Sequence, residues 1–571
     1  MRRAVLATFL CAAPLLAASA QASTGMLERE AVRQALSQSA RAASNGVVPL
    51  PLPEPASVSA ASTRGELASI ASSSARERLL IGARTHADLD GLAAKVRRLG
   101  AEPELFTTIG ALAATVPSGA AAVASLRADP RVAYIERDRT LSIAADPFDS
   151  VDLNTGLKYT WAFDTVRAGE ALATVGGGSS RVVSVIDTGL DVNHPEFAGQ
   201  VSRVFDTSSG GSDVRDNVGH GTFVSGLISA LDGNGRGGKG VAGTTKLIAI
   251  RASIDGSFTI SDLVRGVEFS VRRGAAVINL SLAGDIAPFT RTQVRTLQAV
   301  FFNGALPVAA AGNNAQNGNP LEFPAVLVGG RRGGPGVGLS VAATAPDGSV
   351  AAFSNHNDFV SLAAPGAAAG GNCRFGVFST LPANTTEWDD PQKSCNDVFT
   401  DGTARYAYGE GTSFAAPIVS GLAALAWQAE RRLTSTQVAD VMVRSANGGG
   451  WNEFTGAGVV DGKKAVDIAA TYDVVAPRAR GKIRRQGNRA KVTVARTRDR
   501  TAAGDELAGA LSYAVLVSRD NGRTFSVLRE RRRPFSVSVR IRGRKVNRIF
   551  SSVCDGNFNC DDKLLGRFKR R

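Results

Sequence analysis

Five short runs in the middle of this 571-residue chain are mostly apolar, with apolar residues on both faces: Val182 to Ile186, Lys246 to Ile250, Ala276 to Leu282, Leu306 to Ala311 and Leu339 to Ala343. Strands of that kind are buried on both faces. A parallel sheet covered by helices provides such burial, whereas an antiparallel sheet with one wet face does not. Stretches with helical periodicity alternate with them at Ser261 to Arg273, Thr290 to Phe302, Thr412 to Glu430 and Thr434 to Ala446, the last opening with Thr434 and Gln437 in a capping-box pattern. The pattern predicts an α/β domain with one large, mainly parallel sheet over residues 147–472.

The flanks differ in kind. Met1-Arg2-Arg3, the apolar run Ala4 to Ala17 and the small residues up to Ala22 read as a secretory signal peptide over 1–22, with Cys11 inside the removed segment. No later stretch approaches the ~20 apolar residues of a membrane span, so a secreted or extracytoplasmic product is expected. Residues 23–76 form an Ala/Ser-rich leader punctuated by prolines between Leu50 and Pro55. Over 77–146 the order βαββαβ predicts a ferredoxin-like α+β module: a strand at Leu79 to Ile81, a helix His86 to Leu99, strands within Leu105 to Val116, a helix Ala120 to Ala128 and a strand Val132 to Ile135. Over 473–571, Val-rich runs at Lys491 to Ala495, Tyr513 to Val517 and Val537 to Ile541, with the turn signal Asp520-Asn521-Gly522, predict a small all-β sandwich.

The formal net charge of +15 is concentrated in that last module. From Pro477 onward there are 26 Lys/Arg and 8 Asp/Glu, a net of +18; subtraction from the totals of 66 and 51 leaves 40 and 43, a net of −3. A nucleic-acid-binding role for the whole chain is therefore disfavoured, and docking of the tail on an anionic surface is the functional expectation its charge raises. Without Cys11, the cysteines are Cys373, Cys395, Cys554 and Cys560, an even set in an exported chain, and each neighbouring pair is placed to close a disulfide.

Three segments put reactive side chains where an α/β sheet holds its site. Asp187 ends the strand that starts at Arg181, His220 lies between glycines at the start of a helical stretch, and Ser413 starts the apolar helix after Gly411-Thr412. Alone, each is equally well a turn or capping residue. Together they form a chemical set: a hydroxyl needs a base to become a nucleophile, and an imidazole base needs a carboxylate to fix its tautomer. Asn313, after the buried run Ala309-Ala310-Ala311-Gly312, adds an amide able to donate to an oxyanion without changing charge.

The order Asp187-Thr188-Gly189, His220-Gly221-Thr222 and Gly411-Thr412-Ser413-Phe414-Ala415-Ala416-Pro417 resembles the subtilisin family of serine proteases, over roughly 150–472. The resemblance implies a three-layer αβα domain and endopeptidase activity on protein or peptide substrates. In it Asp187 orients, His220 is base and then acid, Ser413 attacks, and Asn313 with the Ser413 N–H holds the oxyanion. It also implies a substrate-binding segment at Ser281-Leu282-Ala283, with Gly312 beside it. Ala283 replaces the usual glycine, and Phe223 and Ser225 replace the family's histidine and alanine. Glu322, before Phe323-Pro324-Ala325, stands near the base of the S1 pocket and suggests Arg or Lys at P1. The module over 77–146 resembles the family's inhibitory propeptide, which implies a zymogen that cuts itself between about Ser142 and Ser150.

No cofactor is implied for the chemistry. Structural calcium accompanies many relatives, but Asp232 and Asn234 in the glycine-rich loop are too few to name a site, so the metal ligands stay unknown. That loop misses the Ser/Thr of a phosphate-binding motif at Gly240 and precedes a strand. A monomer is expected. A non-catalytic adhesion protein is the rival reading, and it has no need of Asp187, His220, Asn313 and Ser413 together.

Overall fold

The computed structural model describes residues 76–568 apart from 118–119, 139, 144–160, 233, 235–238, 286–289, 335, 369–375, 385, 390–397, 498–510, 519–525, 532, 542–546 and 556–558. The expected signal peptide, the leader up to residue 75, the expected cleavage region beyond Ile143, and Cys373 and Cys395 all lie outside the described residues. The chain divides into two compact units, one of residues 1–138, 288–303 and 473–571 and the other of 139–287 and 304–472.

The described residues open with β1 (Arg76–Ala83), α1 (Leu89–Arg98), β2 (Glu104–Phe106), β3 (Ala111–Pro117), α2 (Ala120–Arg127) and β4 (Val132–Arg137). The four strands form an antiparallel sheet in the order β2-β3-β1-β4, the βαββαβ module that the periodicity predicts. The helical stripe Leu89, Leu92, Ala93 and Val96 buries against Leu79, Ile81, Leu112 and Ala114 in one core.

Next come β5 (Thr140–Ile143), β6 (Val183–Asp187), β7 (Val201–Asp206), α3 (His220–Ser229), β8 (Leu247–Arg251), β9 (Ser257–Thr259), α4 (Ile260–Arg272), β10 (Val277–Leu280), β11 (Leu282–Asp285) and α5 (Arg291–Phe302). They are followed by β12 (Leu306–Ala310), β13 (Glu322–Phe323), β14 (Leu339–Thr344), β15 (Leu362–Pro365), β16 (Val377–Leu381), β17 (Phe399–Asp401), β18 (Ala404–Gly409), α6 (Thr412–Ala429) and α7 (Ser435–Ser445). Seven strands make a wholly parallel sheet in the order β15-β14-β12-β10-β6-β8-β7.

Strand alternation shows that helices cover both faces of this sheet. Ser270 of α4 meets Ser184 at 2.8 Å, while Ser420 of α6 meets Asn279 at 2.8 Å. Asn279 is in register with Val185, whose side chain points opposite to that of Ser184, so α4 and α6 lie on opposite faces. This is the three-layer αβα arrangement. The five expected strands are all present. The edge strands β7 and β15 are additional, one half-exposed with Arg203 in the middle and the other a short Ala-Ala-Pro run.

Helix α5 groups with the first unit. The Glu136 carboxylate caps it, accepting from the backbone N–H of Arg291 at 2.7 Å and of Thr292 at 3.2 Å. Arg295, only 1% exposed, donates to the carbonyls of Ile109, Gly110 and Ala83 and lies 4.9 Å over the Tyr134 ring.

The tail consists of β19 (Gly481–Gln486), β20 (Arg489–Val494), β21 (Ser512–Ser518), β22 (Ser526–Arg531), β23 (Phe535–Arg540), β24 (Asn547–Cys554) and β25 (Cys560–Phe568). Two antiparallel sheets, β19-β20-β23 and β22-β21-β24-β25, share a core of Ala490, Val492, Val494, Val515, Val517, Val539, Ile549 and Val553. The expected Cys554–Cys560 disulfide is not formed. The ladder sets the two residues directly opposite, yet Cys554 is a buried free thiol.

The first unit carries a pH-sensitive group. His86 Nε2 sits 2.7 Å from the Thr107 carbonyl, and burial, aided by the Arg295 charge and opposed by that hydrogen bond, pushes its pKa below the ordinary 6.5. The unfolded chain then binds more protons, so this contribution is complete above about pH 6.5 and is lost as the pH falls through the lowered value. Glu136, pushed up by burial, acts in the opposite sense. Calorimetry between about pH 7 and about pH 5 is expected to show the unit's Tm falling, with a shallower fall in His86→Phe.

Candidate active site

Strand β6 is buried throughout and delivers Asp187 at the C-terminal edge of the parallel sheet. The turn behind it needs Gly189: φ is +123°, and a Cβ would stand 2.4 Å from the Val214 carbonyl. Helix α3 begins at His220 itself, after Gly219 in the left-handed region. Its first turn packs so closely on the Asp187 turn that a Cβ on Gly221 would lie 2.3 Å from the Gly189 carbonyl.

This approach brings His220 Nδ1 to 2.7 Å from Asp187 Oδ1, with both side chains fully buried. Asp187 Oδ1 also accepts from the Thr188 N–H at 2.7 Å. With a proton on Nδ1 held by the carboxylate, Nε2 carries the basic lone pair.

Sequence reasoning missed the residue that holds these two turns together. Asp216 Oδ1 accepts from the Thr188 hydroxyl at 2.9 Å and from the N–H groups of Val218 and Gly219 at 3.1 and 2.8 Å, while Oδ2 accepts from the Thr222 N–H at 2.8 Å. Thr188 Oγ1 in turn accepts from the Gly221 N–H at 2.8 Å. The one sequence signal able to find it is an aspartate four residues before a glycine-flanked histidine.

Ser413 is the second residue of α6, where backbone N–H groups lack intrahelical acceptors. The neighbouring Phe414 ring lies 5.5 Å from the His220 ring, so the start of α6 meets the Asp187–His220 pair. The Ser413 hydroxyl donates to the Ser281 carbonyl at 3.4 Å, and the Ser281 hydroxyl donates to the Ser413 carbonyl at 2.7 Å. Asn313 follows β12 within this cluster. Its Oδ1 accepts from the Thr412 N–H at 2.9 Å and the Thr412 hydroxyl at 2.7 Å, which fixes the amide and turns Nδ2 the other way. Phe223, in place of the family histidine, packs tilted against Phe414 at 4.3 Å and stacks on Trp388 at 5.6 Å, and Ser225 is buried.

The Ser281-Leu282-Ala283 segment borders a second sheet, with the order β13-β11-β5-β9. Residues 140–143 run antiparallel between β11 and β9: Leu282 pairs with Ile143, Ala283 with Ser142, and Thr259 with Thr140. On the other side Gly284 pairs with Phe323 and Asp285 with Glu322. Glu322 is buried. Its oxygens accept from Asn314 Nδ2 at 2.8 Å and Asn355 Nδ2 at 2.9 Å, and its carboxylate presses on Gly312, where a Cβ would lie 1.7 Å from Oε2.

Among the described residues no three His, Cys, Asp or Glu side chains gather as a cation site. Near the glycine-rich loop, Asn234 Nδ2 donates to the buried Glu196 at 2.8 Å and the Tyr406 hydroxyl donates to its other oxygen at 2.8 Å.

The model of the subtilase family matches residues 178–458. The chain is 31% identical over 315 residues to the thermophilic serine proteinase of Bacillus sp. (strain AK1), covering 53% of this chain and 65% of that protein. It is 28% identical over 419 residues to the extracellular protease of Xanthomonas campestris pv. campestris, covering 66% of this chain and 65% of that one. The chain thus spans 65% of the length of each of these two relatives. Its fold is like the crystal structure of fervidolysin from Fervidobacterium pennivorans, a keratinolytic enzyme related to subtilisin, with a TM-score of 0.55 at 19% identity over 87% of this chain and 91% of that one.

Asp216→Ala leaves three buried N–H groups and the Thr188 hydroxyl without their acceptor. It is expected to cost about 3 kcal/mol or more in urea unfolding, and Asp216→Asn clearly less.

Proposed function

As the model of the subtilase family matches residues 178–458, we propose that the chain is a secreted serine endopeptidase of that family, made as a self-cleaving zymogen. The observation that carries this reading is the 2.7 Å bond between Asp187 and His220, buried beside the helix start that holds Ser413. Asp187 keeps the imidazole in the tautomer that leaves Nε2 basic, and His220 takes the proton of Ser413 as Oγ attacks the scissile carbonyl. The charge that develops on the carbonyl oxygen falls to Asn313 Nδ2 and the Ser413 N–H, aided by the positive end of the α6 dipole. His220 then hands its proton to the leaving amine, and water, activated in the same way, releases the acyl group.

An extended substrate adds to β11 as a strand. The antiparallel seat of residues 140–143 between β11 and β9 supports the zymogen reading, since it holds the end of the propeptide as a substrate would lie. The propeptide is the inhibitor in this scheme. A Cys373–Cys395 disulfide would tether the loop inserted before Ser413 and resist self-digestion. Calcium, if bound, serves structure.

The buried Glu322 supports a preference for Arg or Lys at P1. Two amide donors hold its carboxylate in place, and a desolvated carboxylate favours a guanidinium or ammonium partner.

Intact mass and N-terminal sequencing of wild type beside Ser413→Ala, each treated with a fluorophosphonate probe, test the proposal. Wild type alone should lose the segment before about Ser150 and take up the probe; two full-length, unlabelled proteins would remove the protease reading. Glu322→Gln is expected to lower the preference in kcat/KM for Arg over Phe at P1 by about tenfold or more. Equal cleavage after Phe and Arg by wild type would end the P1 assignment.

A further inference from the structure

The three-stranded tail sheet alternates strictly between core and solvent. Ile483, Ala490, Val492, Val494, Val537 and Val539 belong to the core, while Lys482, Arg484, Gln486, Arg489, Lys491, Thr493, Ser536, Ser538 and Arg540 are exposed on the other face. The registers arrange that outer face in three rows: Lys482–Thr493–Ser536, Arg484–Lys491–Ser538 and Gln486–Arg489–Arg540. It holds five cations and no carboxylate. Two pairs of cations, Arg484 with Lys491 and Arg489 with Arg540, stand directly opposite each other on adjacent strands, an arrangement that destabilises a sheet. Among the described residues none of the five has an ion-pair partner, and their only hydrogen bond with another side chain there is from Arg489 Nε to Ser538 Oγ at 2.9 Å.

Protection of a sheet edge does not account for this. Charges that discourage edge pairing belong on edge strands, and here Arg489 and Lys491 sit on the central strand β20. The repulsion is relieved by a partner that brings negative charge to the face. We propose that this face is a docking surface for a linear acidic polysaccharide.

The chemistry of the face selects that occupant. A single-stranded nucleic acid is gripped by aromatic side chains on which its bases stack, and no aromatic residue stands among the nine. The face offers cations for sulfate, phosphate or carboxylate groups and the hydroxyls of Thr493, Ser536 and Ser538 for sugar hydroxyls. Neighbouring strands are about 4.8 Å apart and successive exposed residues about 6.7 Å apart, a lattice that suits a polymer with a charge on every residue or two. Lys482, at one corner, also lines a cleft of about 780 Å³ with Arg478, Arg480 and Lys563, where Asp561 and Asp562 form the acidic part of the wall. The basic surface thus continues off the sheet and gives a long chain a second hold.

The proposal is independent of the protease reading. Its test uses the full chain as Ser413→Ala, which prevents digestion of the tail, with heparin as the acidic polysaccharide, dextran as the neutral control and a DNA duplex as a third arm. Changing Arg484, Arg489, Lys491 and Arg540 together to Gln is expected to weaken heparin binding by at least about tenfold, while changing Arg533 and Arg567, off this face, has little effect. The Tm of the fourfold variant should be equal or higher, since like charges are removed, which separates lost binding from lost folding. Equal weakening per charge by the off-face variant would mean general attraction and overturn the assignment, as would tighter binding of the duplex through the same face or equal binding of dextran.

Discussion

The Asp216 carboxylate is the contact on which the site depends. Four donors from two separate turns converge on its two oxygens, and the start of a helix and the end of a strand are thereby fixed to each other. Such a start leaves N–H groups without acceptors, and a buried acceptor of full charge is the strongest answer to that need. Only glycine permits the close approach that results, at Gly189 and Gly221 alike. The Asp187–His220 pair, fully buried and 2.7 Å apart, rides on these two turns.

A similar economy links the other half of the site. Ser281 and Ser413 exchange hydroxyl-to-carbonyl bonds, and Thr412 fixes the amide of Asn313, so the residues on either side of β11, β12 and α6 are coupled through buried polar bonds. Inside a protein such bonds act in a low dielectric and resist reorganisation. Positional precision here is a property of backbone contacts between elements, with the reactive side chains riding on them.

Much of this was legible in the sequence, for reasons that differ by element. Strands β6, β8, β10, β12 and β14 were visible because burial on both faces leaves them mostly apolar on both sides, with buried polar exceptions such as Ser184 and Asn279. Strand β7 keeps one side wet and β15 is a short Ala-rich run, so neither carries that signature. His220 reads as lying just before the helical stretch, yet it is itself helical, with Asp216 accepting from the Thr222 N–H of the first turn from outside the helix. Asp187, His220 and Ser413 were ambiguous one at a time, and only their order and company made them a chemical set. Glu322 illustrates what remained hidden: its burial depends on Asn314 and on Asn355, 33 residues away, and Asn314 by itself reads as a turn residue. The Cys554 thiol is a similar case, since spacing and register both suit a bond that is not formed.

The seat of residues 140–143 has a consequence for any incoming peptide. Strand β5 is tethered to the same chain as the two strands it joins, so its local concentration is on the order of millimolar whatever the dilution of the protein. A peptide competing for that position from solution meets a rival that dilution does not remove. While the tether is intact, release of β5 from β11 and β9 is governed by the opening of a few backbone hydrogen bonds; were it cut, release would become a matter of dissociation and therefore of dilution. One covalent bond thereby changes how occupancy scales with concentration, and the fold obtains this from chain connectivity alone.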